Sequence, residues 1–472
     1  MATTENDSTN SAHIDTIRSL VTRDWENIIA ELDALARIPS ISWPRFDQSQ
    51  LDRSAEFIAD AARRMDFFDV VNIVREPTSD GSLGQPAVIA RREPRNGAST
   101  VLLYAHHDVQ PPGDTSIWES KPFEPERRGD RLFGRGVADD KAGVVTHLQS
   151  LRILRELTEN SLDTGIVLFI EGEEEYGSPS FTATLEAQRD LLQADTIIVA
   201  DSGNWSTEVP ALTVSLRGNA VVRVTVRTLD HALHSGMFGG VVPDAMMSMV
   251  TLLATLYTPS GGVAVDGLHV RPGTTPKYDE AQLRLESGLL DQVQPIGGGV
   301  QPTDFLAKLW NEPSVTVIGI DAPSTAEASN TLLPHVTAAL SLRVAPGQDS
   351  RAAADALVRH LKAHAPFGAV VECEIASVGA AFSMDTDSQD AVRMMNSLRE
   401  VWGVEPVEMG VGGSIPFIAD FVDAFPGARV LVTGVEDPDT RAHSPNESLH
   451  LPSFERGIIT ETHFLLSQAR DN

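Results

Sequence analysis

The sequence predicts an α/β fold with a smaller α+β domain inserted into it. Three observations lead there. Short apolar runs alternate with helical patterns as far as residue 211. From about 212 the order becomes strand-strand-helix-strand-strand-helix-strand, and near 386 the first pattern resumes. A chain of 472 residues is long enough for two large domains.

Taken in order, residues 1–12 are polar and read as a disordered tail. Ile17, Leu20, Val21, Trp25, Ile28, Ile29, Leu32 and Leu35 recur at helical spacing, so 14–36 is an amphipathic helix that Pro39 ends. A second helix is expected over 51–65, and strands over 69–75, 86–91 and 101–105. A glycine-rich stretch then enters a helix at 142–157, followed by strands at 165–170 and 196–200. The insertion, 212–385, opens with strands at 212–216 and 220–228 and a helix at 243–257. Strands at 315–320 and 336–344, a helix at 351–364 and a strand at 370–375 complete it, the last strands pairing antiparallel. The outer domain, 13–211 and 386–472, finishes with a helix at 390–401, a strand at 429–433 and a helix at 452–469.

Composition excludes several functions. A net charge of −29 argues against nucleic acid or an anionic membrane as partner. Cys373 is the single cysteine, so no internal disulfide forms and a thiolate metal site is excluded. The polar N-terminus is not a signal peptide, and no run approaches the roughly 18 apolar residues of a membrane span. The expected compartment is the cytoplasm.

The chemistry gathers where strands end. The run 101–105 stops on His106, with Asp108 two residues on and Pro111 and Pro112 beyond. In open α/β sheets ligands collect at such ends. Gly134-Arg135-Gly136-Val137-Ala138-Asp139-Asp140-Lys141 lacks the spacing of a phosphate loop, and its two aspartates alone would be helix-capping groups. Glu171, Glu173, Glu174 and Glu175 follow a buried-looking strand at once. Packing them there needs cations or a shared proton. The strand at 196–200 ends on Asp201, and a late loop carries His443. His106, Asp139, Glu175, Asp201 and His443 offer two imidazoles and three carboxylates, a set suited to zinc, manganese or cobalt. Two divalent ions sharing one carboxylate would use all five and would activate water and polarise a carbonyl. Glu174, among like charges, is the candidate general base, and Asp108 would orient His106. Spacing alone leaves open which carboxylate bridges.

These motifs carry a resemblance. His106-x-Asp108, Gly134-Arg-Gly-x-x-Asp139-Asp-Lys, Glu171-Gly-x-Glu174-Glu175-x-Gly-Ser, Asp201, His234-Ser-Gly, Gly412-Gly-Ser-Ile-Pro and the His443 loop occur in that order over about 15–470. The chain resembles the two-zinc metallopeptidase and amidohydrolase family of carnosinases, cytosolic nonspecific dipeptidases, aminoacylase, carboxypeptidase G and succinyl-diaminopimelate desuccinylase. The resemblance implies a catalytic domain with a mixed, mostly parallel sheet flanked by helices, and an inserted two-layer dimerisation or lid domain. It implies two divalent ions per subunit, zinc first, with manganese or cobalt as alternatives. Asp139 would bridge them, His106 and Asp201 completing one site and Glu175 and His443 the other. It also implies a cis peptide bond between Asp139 and Asp140. His234 would reach the partner subunit's active site in a homodimer and stabilise an oxyanion. Arg343, Gly413 and Ser414 would hold a substrate carboxylate, with Asn330 as a polar contact. By themselves His234 reads as a surface histidine and Arg343 as a strand-edge charge.

Asp at 201 and the Asp-Val-Gln-Pro after His106-His107 resemble the dipeptidase branch, so the expected reaction is hydrolysis of dipeptides or short peptides. The alternative on the same machinery is removal of the acyl group from N-acyl amino acids. A binding module without catalysis is the distant rival, disfavoured because every ligand position and the Glu174-Glu175 pair are filled. No Gly-x-Ser-x-Gly or His-Glu-x-x-His is present.

Overall fold

The computed structural model describes residues 2–297, 304–413 and 416–471. The chain divides into two compact units, Met1–Val214 with Met384–Met409 and Asp420–Asn472, and Ser215–Ser383 with Gly410–Ala419.

The first unit is built on a mixed sheet. Its strands run in the order Val70–Val74, Ala87–Arg92, Gly165–Glu171, Thr100–His106, Thr196–Val199, Arg429–Val432, Ala211–Leu216. The four from Gly165–Glu171 to Arg429–Val432 are parallel neighbours, and the flanking pairs are antiparallel. Thr100–His106, Gly165–Glu171 and Thr196–Val199 are buried at every position. Strands covered on both faces read as continuous apolar runs, which is how they appear in the sequence. The helix Lys141–Leu157 packs on Thr100–His106 and against the helices Ala2–Ala36 and Leu451–Asp471, so it is buried on nearly all sides. Ile17, Val21, Ile28, Leu32 and Leu35 are fully buried along one stripe of Ala2–Ala36. Each such side chain contributes roughly 1.5–3 kcal/mol of hydrophobic stabilisation.

Two expectations are corrected here. The first helix begins at Ala2, so residues 2–12, expected as a disordered tail, continue it; no glycine or proline interrupts that stretch. The strand at 212–216, expected to open the insertion, belongs to the large sheet, where Thr213 pairs with Val432. Its alternating sequence hid its burial on both faces, and the true alternation begins at Gly218.

Local patterning missed a small antiparallel sheet of Ser448–His450, Arg131–Phe133 and Glu126–Arg128. Ser448 pairs with Phe133, which sets Glu447 beside the Gly134 turn.

The second unit holds a four-stranded antiparallel sheet in the order Ser314–Asp321, His335–Val344, Gly218–Arg227, Val370–Gly379. Val222, Val224, Val226, Leu340 and Leu342 share a core with Leu252, Leu357 and Leu361 of the helices Ala245–Ala254 and Ser350–Ala363. Asp244 caps the first helix through the Met246 and Met247 amides, and Asp349 caps the second through Ala352. The polar stretch before Ser314 also forms the helices Glu280–Ser287 and Phe305–Asn311. No helix among the described residues is long and apolar enough to cross a membrane.

Candidate active site and metal centre

His106 is the last residue of its strand and fully buried. Its Nδ1 lies 3.1 Å from the carbonyl oxygen of Asp108. A carbonyl only accepts, so Nδ1 carries a proton and Nε2 is the ring nitrogen left to face the carboxylates. Nε2 faces Asp139 Oδ1 at 3.2 Å and Asp201 Oδ1 at 4.0 Å without making a hydrogen bond. A buried imidazole nitrogen among carboxylates is how ligands of one cation are arranged.

Asp139 sits where the glycine turn enters Lys141–Leu157, and its bond to Asp140 is cis. Its Oδ2 lies 3.0 Å from His443 Nε2, so one carboxylate faces both imidazoles. Asp140 accepts from the His106 amide at 3.2 Å. That approach needs glycine at 143, where a Cβ would lie 2.2 Å from Asp140 Oδ1 and 2.9 Å from the Ala200 carbonyl oxygen. The turn itself is held by Glu447. Its carboxylate accepts from Arg135 Nη1 at 2.6 Å and from the amides of Gly136, Ala138 and Asp139 at 3.0, 3.1 and 3.2 Å.

The acidic run divides by role. Glu171 accepts from the Tyr104 hydroxyl, and Glu173 binds the Ser180 and Gln85 amides, so both serve the scaffold. Glu174 and Glu175 turn into the site. The Asp108 carboxylate accepts from their two amides, each at 3.1 Å, and from Ser42 Oγ at 2.6 Å. Its Oδ1 is 3.4 Å from His106 Nδ1, so Asp108 braces the imidazole and the acidic turn together. Gln110 grips Glu175 through its amide at 3.1 Å and its side chain at 2.6 Å. Glu175 Oε2 lies 3.2 Å from His443 Nε2.

The candidate ligand atoms form two groups, His106 with Glu174 and Asp201, and Asp139 with Glu175 and His443, each within 4.8 Å. Burial, eased by His106 and reinforced by Glu175 and Asp108, raises Glu174 to about 7. Burial holds Asp201 well above the carboxylate range and also raises Glu175. Asp139 and Glu175 raise His443 to about 11. The cluster concentrates negative charge that cations would balance. The all-nitrogen-and-oxygen donors and the buried His106 Nε2, which makes no hydrogen bond among the described residues, fit divalent ions of the zinc, manganese and cobalt class.

His107 is a scaffold residue. Its Nε2 meets the Pro86 carbonyl oxygen at 2.8 Å, and burial lowers its pKa to about 4. An unfolded histidine titrates near 6.5, so protons favour the unfolded chain. The stability due to neutral His107 is complete above about pH 6.5 and drains as pH falls towards about 4. His107→Gln keeps a donor for Pro86 and is expected to flatten this fall in unfolding free energy. An unchanged slope in urea titrations across that range would refute the assignment.

In the second unit, His234 pairs with Thr331, and the Ser235 amide donates to the Asn330 carbonyl, which places Asn330 beside His234. The Gly236 amide donates to His234 Nδ1 at 3.0 Å, so Nε2 carries the proton. Arg343 lies on His335–Val344, opposite Ser314 and Asn219. Gly413 follows the strand Val407–Val411, and Ser414 lies outside the described residues. Sequence reasoning missed Glu447, Gln110 and Ser42. Gln110 and Glu447 stand in segments already singled out, His106–Pro111 and the His443 loop, but their partners are distant in sequence.

The sequence profile of Peptidase family M20/M25/M40 matches residues 102–467. The chain belongs to this family. It is therefore a metallopeptidase-type hydrolase, and the dipeptidases are the branch it resembles. It is 33% identical over 408 residues to the cysteinylglycine-S-conjugate dipeptidase of Corynebacterium striatum, covering 85% of this chain and 87% of that one. It is 29% identical over 456 residues to the human Beta-Ala-His dipeptidase, covering 90% and 86%. The fold matches the di-peptidase Dug1p from Saccharomyces cerevisiae with a TM-score of 0.76, at 23% identity over 97% of this chain and 98% of that one.

Proposed function

We propose that the protein is a metal-dependent dipeptidase. The observation that carries this reading is Asp139, which turns one oxygen to His106 and the other to His443 with Glu174 close by. Two divalent ions, zinc first, would be held by His106, Asp139 and Asp201 and by Asp139, Glu175 and His443. Bound there, they would polarise the scissile carbonyl and render water nucleophilic near neutral pH. Glu174 takes the proton of the attacking water and delivers it to the leaving amine nitrogen; its buried, acid-rich setting supports that exchange. His234 donates its Nε2 proton to the developing oxyanion. Arg343, the Gly413-Ser414 turn and Asn330 orient the substrate carboxylate and backbone.

We place the protein in the cytoplasm as a homodimer in which His234 serves the partner's site. The stretch after His234 supports the dimer. Met237 is 75% exposed, Val241 88% and Val250 55%, apolar side chains that a second copy would cover.

The test is parallel hydrolysis of unblocked dipeptides and of N-acetyl and N-succinyl amino acids by zinc- or manganese-loaded protein, with chelator controls. Chelator-sensitive cleavage of the dipeptides alone is expected. Cleavage of the acylated panel alone would move the protein to the deacylases.

A further inference from the structure

Arg217 lies in the second unit and is only 7% exposed, yet it has no carboxylate partner among the described residues. Its Nε donates to the Gly412 carbonyl at 3.1 Å, and its Nη1 to the Glu312 carbonyl at 3.2 Å and to Ser314 Oγ at 3.3 Å. Its own amide donates to the Val411 carbonyl at 3.2 Å. Nη2 makes no hydrogen bond among the described residues, and it lies 3.0 Å from where a Cβ on Gly412 would be. A side chain at 412 would displace it.

Arg343 is next to this group. It pairs with Ser314, whose hydroxyl Arg217 holds, and with Asn219, two residues beyond Arg217. Arg343 likewise has no ion pair among the described residues. Two arginines thus stand on neighbouring stretches of backbone, neither ion-paired among the described residues, and Arg217 is buried. Burial and the charge of Arg343 press Arg217 down to about 10. Uncompensated buried cations are destabilising unless an anion completes them. Spare guanidinium hydrogens beside a glycine turn match a planar carboxylate.

We infer that Arg217 is a second guanidinium of the substrate-carboxylate pocket, fixing the Gly412-Gly413 turn through Nε and offering Nη2 beside Arg343. The ligand is the free C-terminal carboxylate of a dipeptide, an inference that rests on the dipeptidase reading. Arg217 is a positioning and specificity residue, since it touches none of the reacting atoms.

Calorimetry in the Glu174→Gln background, metal-loaded, tests this with glycyl-leucine and its C-terminal amide. Adding Arg217→Gln is expected to weaken the dipeptide about tenfold or more and the amide less than about twofold. Arg217→Lys, which keeps charge but loses the fork, should fall between. Equal losses for both ligands would reduce Arg217 to a scaffold role and overturn the inference, as would no loss or no dipeptide binding with Arg217 intact. The dipeptidase reading fails separately, through absence of dipeptide turnover in the wild-type protein while this discrimination persists.

Discussion

Glu174→Gln is expected to leave metal content unchanged and lower kcat by about 10²–10⁴-fold, the usual worth of a positioned general base. Glutamine keeps the shape of the side chain and cannot take a proton. The Glu174 amide still binds Asp108, so the turn that carries Glu175 is preserved. KM should change little. Loss of metal together with activity would make Glu174 a ligand instead, a role its place beside His106 and Asp201 makes a fair competitor. Near wild-type turnover would end the mechanism. The same variant tests the proposed homodimer and its shared site. Mixed and reassociated with His234→Ala, it should recover about a quarter of wild-type activity, because half the dimers carry one intact site. No recovery would argue against His234 crossing to the partner.

Glu447→Ala is expected to have the largest effect on stability. Arg135 is 1% exposed, and the variant takes the carboxylate from its guanidinium, leaving the Ser444 carbonyl at 3.4 Å, and strips three backbone amides of their acceptor. Burial pushes the Glu447 carboxyl up, and Arg135 with these amides draws it back towards the charged form. Removing one member of such a buried pair costs about 3–5 kcal/mol. Urea unfolding at neutral pH measures it, and a loss below about 1 kcal/mol would contradict the pairing. Replacing both partners, Arg135→Met with Glu447→Leu, should recover part of the loss. Because Glu447 also holds the Asp139 amide, the single variant should bind zinc more weakly than wild type.

The candidate ligands were legible in the sequence for a local reason. His106 and Asp201 stand where buried strands end, Asp139 where a turn becomes a helix, and Glu175 directly after an apolar run. Each position marks a change of pattern that neighbouring residues reveal. The alternating strands of the second unit were legible for the same reason, since a half-buried strand repeats every two residues. The sorting of the acidic run was not. Glu173 and Glu174 are neighbours of one type, and only the loops they meet send one to Ser180 and the other to the site. The strand Ala211–Leu216 misled because alternation describes side chains, whereas its place depends on which backbone it pairs with. Glu447 lay beyond any local signal, because it reaches Gly136 across 311 residues. The sequence by itself determined which residue types end each element and therefore what chemistry could assemble. Tertiary structure alone decided which carboxylates face a ligand position and which brace the scaffold. That choice depends on hydrogen-bond partners brought together by long-range strand pairing, and such pairing leaves no periodicity in the chain.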